Sequence, residues 1–140
     1  MKIIEDFGLL KESKFHHIGY ASKSIDIDLL FFKSLGFNLE GKIFTDINQG
    51  IRGCFIIGCG TRIELLENLP NSKTLSGLIR HGINMYHLAY EVDSIKEAFE
   101  KISNIKHKVI VQPINAVAFG GRKITFVLFR NNFILEFIEK

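Results

Sequence analysis

Phe15-His16-His17-Ile18-Gly19-Tyr20-Ala21 is the stretch that decides how the chain is organised, because a version of it returns as Tyr86-His87-Leu88-Ala89-Tyr90-Glu91. His17 and His87 stand 70 positions apart (87 − 17), half of the 140 residues. Tyr20 and Tyr90 keep that offset, as do Ser24 with Ser94 and Ile25 with Ile95. One histidine in an apolar strand is ordinary. Two at equivalent points of a duplicated unit indicate a shared site.

Apolar and polar residues alternate through Phe15 to Ala21, which predicts a strand. Phe15, His17, Gly19 and Ala21 then share one face, and His16, Ile18 and Tyr20 the other. His16 is therefore expected to be structural or at the surface. The small residues on the His17 face leave room for a ligand. Met85 to Val92 is the matching strand, where His87 shares its face with Met85, Ala89 and Glu91. Glu91 either supports His87 or is solvated.

Working outward, residues 1–13 read as a leader with a short helix. Ser24 is an N-cap, with Ile25, Leu29 and Phe32 at helical spacing until Gly36. Phe37 to Phe44 is a strand, Thr45 to Gly50 a polar loop, and Ile51 to Ile57 with Arg62 to Glu67 a hairpin through Gly58-Cys59-Gly60. Leu69-Pro70-Asn71-Ser72 breaks the pattern, and a short helix over Lys73 to Arg80 completes a linker, residues 69–84. The second half repeats the order. Ser94-Ile95-Lys96-Glu97 is a capping box, followed by Ala98, Phe99 and Ile102 on one helical face. Strands over Lys108 to Gln112, Lys123 to Phe129 and Phe133 to Ile138 follow, with a small-residue loop over Asn115 to Gly121 and a tight turn at Arg130-Asn131-Asn132. The expectation is an α+β fold of two βαβββ modules, about residues 15–68 and 85–139, in a single domain.

Composition limits the function classes. A chain of 140 residues with 46% hydrophobic and 24% charged residues can bury a substantial core. The net charge of +3 is mild and its Lys and Arg are scattered, so no nucleic-acid partner is expected. A small positive balance still favours an anionic small molecule. The first residues contain early acids and no apolar core, which excludes a signal peptide, and no run is long enough to span a membrane. Cys54 and Cys59 are expected as free thiols in a reducing compartment, and the location as cytoplasmic.

The repeat extends to the last strand of each half. Arg62-Ile63-Glu64-Leu65-Leu66-Glu67 matches Ile134-Leu135-Glu136-Phe137-Ile138-Glu139, with Glu64 and Glu136 separated by 72 positions (136 − 64). Glu136 shares its face with Ile134 and Ile138, and a carboxylate there is costly unless paired or metal-bound. Glu64 shares its face with Arg62, a possible partner. Each half thus supplies one His and one Glu. His17, Glu64, His87 and Glu136 form a mixed nitrogen and oxygen set suited to a divalent ion of Mn, Fe, Co, Ni or Zn. Glu67 and Glu139 close their strands and are expected to be solvated, and His81 and His107 show no partner.

These segments resemble the vicinal oxygen chelate superfamily, which includes glyoxalase I, methylmalonyl-CoA epimerase and bleomycin-resistance proteins. The resemblance covers about residues 15–139 and implies two βαβββ modules forming a cupped sheet around one metal. The ligand positions fall on His17, Glu64, His87 and Glu136, and the second of them is Glu or Gln across the superfamily. Family members often form homodimers. Asn71-Ser72 after Glu64-Leu65-Leu66-Glu67, and the loop Phe119-Gly120-Gly121-Arg122-Lys123, resemble the epimerases. The resemblance implies proton abstraction beside a metal-chelated carbonyl of a thioester, with Glu136 as the proton-transfer base. Arg122 and Lys123 meet an anionic end of the substrate or are surface charges. A lactoylglutathione lyase acting on a hemithioacetal, and a non-catalytic small-molecule-binding module, are the other functions that this resemblance implies. One departure stands out: an epimerase can draw a second carboxylate from the strand matching Ile51-Arg52-Gly53-Cys54, which has none here.

Overall fold

Eight strands in one mixed sheet follow from these patterns, in the order β2-β3-β4-β1-β5-β8-β7-β6. The computed structural model describes residues 10–140, so most of the expected helix in residues 1–13 lies outside the described residues. The first half contains β1 (Lys14–Ala21), α1 (Ile25–Ser34), β2 (Asn38–Asp46), β3 (Ile51–Gly58) and β4 (Thr61–Asn68). A short α2 (Ser76–Arg80) leads to β5 (Met85–Val92), α3 (Ile95–Lys101), β6 (His107–Asn115), β7 (Lys123–Phe129) and β8 (Ile134–Glu139).

Local chemistry starts both main helices in the same way. Ser24 accepts a hydrogen bond from the Ile27 N–H and Ser94 from the Glu97 N–H, at 3.3 and 3.2 Å. Glu67 and Glu139 depart from their expected role as solvated strand ends. Glu67 accepts the Ile25 N–H at 2.8 Å and Glu139 the Ile95 N–H at 2.9 Å. Each carboxylate thus ties its module's last strand to the first N–H of its helix, where the helix dipole favours a negative charge. The two remaining histidines gain partners as well: His81 and His107 each bond a backbone carbonyl through Nδ1.

Two strands run past their expected ends, and one loop gains a turn. β2 runs two residues further than expected, to Asp46, because its pairing with β3 continues to Ile51. β6 extends through Pro113, which the sheet tolerates because β6 is an edge strand and can forgo a ladder donor. The Asn115–Gly121 loop contains a 3-10 turn, Val117–Phe119, whose first N–H is held by the buried Asp46 carboxylate at 3.1 Å.

The core splits across the sheet. α1 packs on Cys54, Ile56, Ile63 and Leu65, and α3 on Val127, Leu135 and Phe137. Alternation sends Glu64 and Glu136 to the opposite face. There Phe55, Ala89, Phe119 and Phe126 form a second apolar layer. Cys54 and Cys59 are both free. Among the described residues no helix is long and apolar enough to cross a membrane.

Candidate metal centre

The two halves meet along β1 and β5, and this seam builds the site. β1 runs antiparallel to β5, parallel to β4, and β5 runs parallel to β8. The register places Gly19 opposite both Glu64 and His87, and Ala89 opposite both His17 and Glu136. Each imidazole therefore faces a residue with almost no side chain. Gly19 is needed for a specific reason: a Cβ there would lie 1.9 Å from His87 Cε1. The small residues beside His17 do leave room, but His87 takes the space at Gly19.

His17, Glu64, His87 and Glu136 converge, with one donor atom from each lying within 4.8 Å of all the others. None is more than 4% exposed. His17 Nε2 lies 3.2 Å from His87 Nε2, from Glu64 Oε1 and from Glu136 Oε1. His87 Nε2 is 3.2 Å from Glu136 Oε1 and 4.0 Å from Glu64 Oε1. Despite that closeness, Glu136 Oε1 makes no well-directed hydrogen bond, and neither does the buried His87 Nδ1. Two carboxylates share this buried site, and among the described residues no Lys or Arg is an ion-pair partner of either. Such a group of donors, aimed at a common centre and short of positive charge, fits a divalent cation.

Arg62, the possible partner of Glu64, turns away. It donates to Glu40 at 2.8 and 3.2 Å and to the His16 carbonyl at 3.0 Å. Glu91 likewise pairs with Arg122 at 2.9 Å instead of supporting His87. Arg122 also lies over the Phe119 ring, and neither it nor Lys123 lines the cavity above the carboxylates.

His16 is where the strand parity fails. Its Nδ1 comes within 2.8 Å of His17 Nδ1, because a bulge between Phe15 and His17 turns it toward its neighbour. Burial, then His17 and Arg62, lower its pKa to about 4, so His16 is neutral near pH 7. With His17 Nε2 facing the cluster, the His17 Nδ1–H donates to His16, which fixes the ring orientation. Phe119 stacks on His17 at 5.8 Å and Phe55 meets it edge-on at 5.3 Å.

Electrostatics make the cluster strongly coupled. Burial pushes the His17 imidazole down, but Glu64 and Glu136 overcome it and raise its pKa to about 9. Burial pushes Glu136 up, and the two imidazoles outweigh that and hold its carboxyl well below the usual range. A cavity of about 200 Å³ opens above Glu64 and Glu136, walled largely by hydrocarbon from Ile51, Leu66, Leu78 and Phe126. Tyr86, which carried no role in the sequence reading, also lines it. Burial, with Glu64 and Glu136 nearby, holds its phenol well above the usual tyrosine range.

A duplicated βαβββ sheet whose halves each lend an imidazole and a carboxylate to one buried centre defines a fold class. Residues 16–126 match the Glyoxalase/Bleomycin resistance protein/Dioxygenase superfamily, and the chain belongs to it. A hypothetical protein from Bacillus halodurans C-125, BH1468, is 29% identical, with a TM-score of 0.79 over 93% of this chain and 96% of that one. Methylmalonyl-CoA epimerase from Mycobacterium tuberculosis shares the fold at 19% identity and a TM-score of 0.74, over 99% and 92% of the two chains. A methylmalonyl-CoA epimerase in complex with methylmalonyl-CoA and NH4+ does so at 18% and 0.70, over 91% and 94%. No curated protein sequence matches the chain.

Proposed function

We propose that the chain is a metal-dependent enzyme that moves a proton on the carbon beside a chelated carbonyl, in the manner of an epimerase acting on a thioester. His17, Glu64, His87 and Glu136 hold one divalent ion, of Co, Mn, Ni, Zn or Fe, and Glu136 is the proton-transfer base. The observation that carries this reading is the buried, hydrogen-bond-free Glu136 oxygen at the floor of an apolar cavity. The bound ion supplies Lewis-acid polarisation of the substrate carbonyl, which lowers the pKa of the adjacent C–H. Glu136 accepts that proton, and the dry walls keep the site free of competing water. Two neutral nitrogens and two carboxylates balance a divalent charge and leave coordination positions for substrate oxygens.

The lyase reading uses the same residues, and one observation favours keeping it. Arg52 of the strand Ile51-Arg52-Gly53-Cys54 turns to Glu67, and a Cβ at Gly53 would run into Phe44 and Leu66, so this strand neither brings an acid to the cavity nor has room for one at Gly53. Glu91 is committed to Arg122. A reaction that removes and returns the proton with one carboxylate meets no obstacle here. Metal-loaded protein is expected to exchange the α-proton of (R)- or (S)-methylmalonyl-CoA in deuterated water. Turnover of methylglyoxal with glutathione and no exchange of the thioester would replace the epimerase reading with the lyase. Failure of both, with a stoichiometric ligand bound in metal-free protein, would replace it with a binding module.

The same reading makes Gly19 essential to metal binding. Gly19→Ala forces a methyl into the His87 ring, so His87 must leave the cluster or the β1–β5 seam must part. Metal affinity is expected to fall by roughly 10- to 100-fold, the usual cost of misorienting a ligand. Dye-competition titration reads this directly, and wild-type affinity in the variant would show that His87 is not a ligand.

A further inference from the structure

β1 and β5 carry matching bulges. Between the pairs Phe15–Tyr90 and His17–Ala89 the extra residue is His16; between Gly19–His87 and Tyr20–Met85 it is Tyr86. The duplication thus puts His16 and Tyr86 at equivalent points, each just before its module's histidine. Both bulges bring a ring against that histidine, with centroids 5.1 Å apart for His16 and His17 and 4.4 Å for Tyr86 and His87. From there the two diverge. His16 bonds to His17 and packs on Phe55 and Phe119, whereas Tyr86 lines the open cavity with Glu64 and Glu136.

The cavity has few groups that can greet a polar ligand. Among the described residues no Lys or Arg lines it, and the neutral side chains able to donate are Gln49, Thr74 and Tyr86. Gln49 Nε2 donates to Asp46 Oδ2 at 2.8 Å, and Thr74 Oγ1 donates to the Gln49 carbonyl at 2.8 Å. The Tyr86 hydroxyl has no protein acceptor among the described residues.

We infer that the Tyr86 hydroxyl donates a hydrogen bond to the substrate oxygen that gains negative charge when Glu136 takes the proton, an inference that rests on the proton-transfer reading above. Glu136 gives up its own negative charge when it takes the proton, so the charge moves onto the substrate oxygen, and among the lining residues only Tyr86 has a hydroxyl free to lend that oxygen a hydrogen bond. A neutral donor fixed in place before reaction suits that task and costs no reorganisation. The same walls define what the cavity admits: a pair of neighbouring oxygens for the centre, and an uncharged hydrocarbon body against Ile51, Leu66, Leu78, Ile110 and Phe126. Any charged remainder of the substrate stays outside.

The test uses zinc-loaded protein and butyrohydroxamate, a probe with two neighbouring oxygens and a short hydrocarbon tail. Zinc content is measured first, then the probe is titrated calorimetrically into wild type and Tyr86→Phe. Zinc content is expected to be unchanged, and the probe Kd to weaken about tenfold in the variant, the size of one good hydrogen bond. Equal probe affinity in the two proteins overturns the inference and leaves the metal reading standing. Wild-type protein that holds none of zinc, cobalt, manganese, nickel or iron overturns both. The chain has three Tyr and no Trp, so probe binding to wild type is also expected to shift the near-ultraviolet tyrosine spectrum. That readout serves even if the variant fails to fold, and an unperturbed spectrum overturns the inference.

Discussion

Glu136→Gln is expected to abolish most α-proton exchange while metal still binds. The amide matches the carboxylate in shape and keeps an oxygen for the centre, but it cannot take a proton near neutral pH. General-base catalysis contributes roughly 10²- to 10⁴-fold, and exchange at saturating metal should fall by that factor. Glu64→Gln is the control. It too removes a buried charge 3.2 Å from His17, yet Glu64 has no proposed role in moving the proton. Its metal affinity should drop while exchange at saturating metal stays within about tenfold of wild type, well short of the general-base factor. Deuterium incorporation, normalised to bound metal, separates the two. A Glu136→Gln protein that carries metal and exchanges at the wild-type rate would assign the base elsewhere.

The metal-free protein is expected to lose stability as the pH rises from about 6.5 to about 9, and the metal-loaded protein is not. His17 without metal sits between two carboxylates, where a proton takes the place of the missing cation. Its folded pKa of about 9 lies above the ordinary histidine value near 6.5. The folded state therefore binds that proton more tightly than the unfolded chain. The resulting stabilisation is complete below pH 6.5 and lost as the pH climbs through 9, roughly 3 kcal/mol in all. Glu136 acts in the opposite sense. Its carboxyl is held low, so its contribution is present above the usual carboxylate range and is lost as the medium becomes acidic. Metal displaces the His17 proton, and at a thousandfold excess over Kd it adds about 4 kcal/mol of its own. Urea unfolding of chelator-treated and metal-loaded protein at pH 6 and 9 checks both statements. A metal-free stability that stays flat over that interval would mean that the four side chains do not form a coupled cluster in solution.

The duplicated strand, the two helix caps and the four converging side chains were legible in the residues because each depends on local period. Strand parity places His17 with Gly19 and Ala21, and Glu136 with Ile134 and Ile138, whatever lies across the sheet. The 70-residue offset then relates the halves without any knowledge of their contact.

His16 and Tyr86 escaped the same reasoning for a clear cause. A bulge is a property of two paired strands, and the pairing of β1 with β5 joins residues far apart in the chain. Parity counted along β1 alone put His16 on the wrong face, and nothing along β5 alone marks Tyr86 as facing a cavity. The partners of Arg62, Glu67, Glu91 and Glu139 are likewise long-range, supplied by Glu40, the Ile25 N–H, Arg122 and the Ile95 N–H. Strand alternation and the 70-residue repeat pointed to the four side chains that converge, because both are written along the chain itself. Which rings stand around that centre, and which donor is left facing its cavity, was settled only when two distant strands paired out of register.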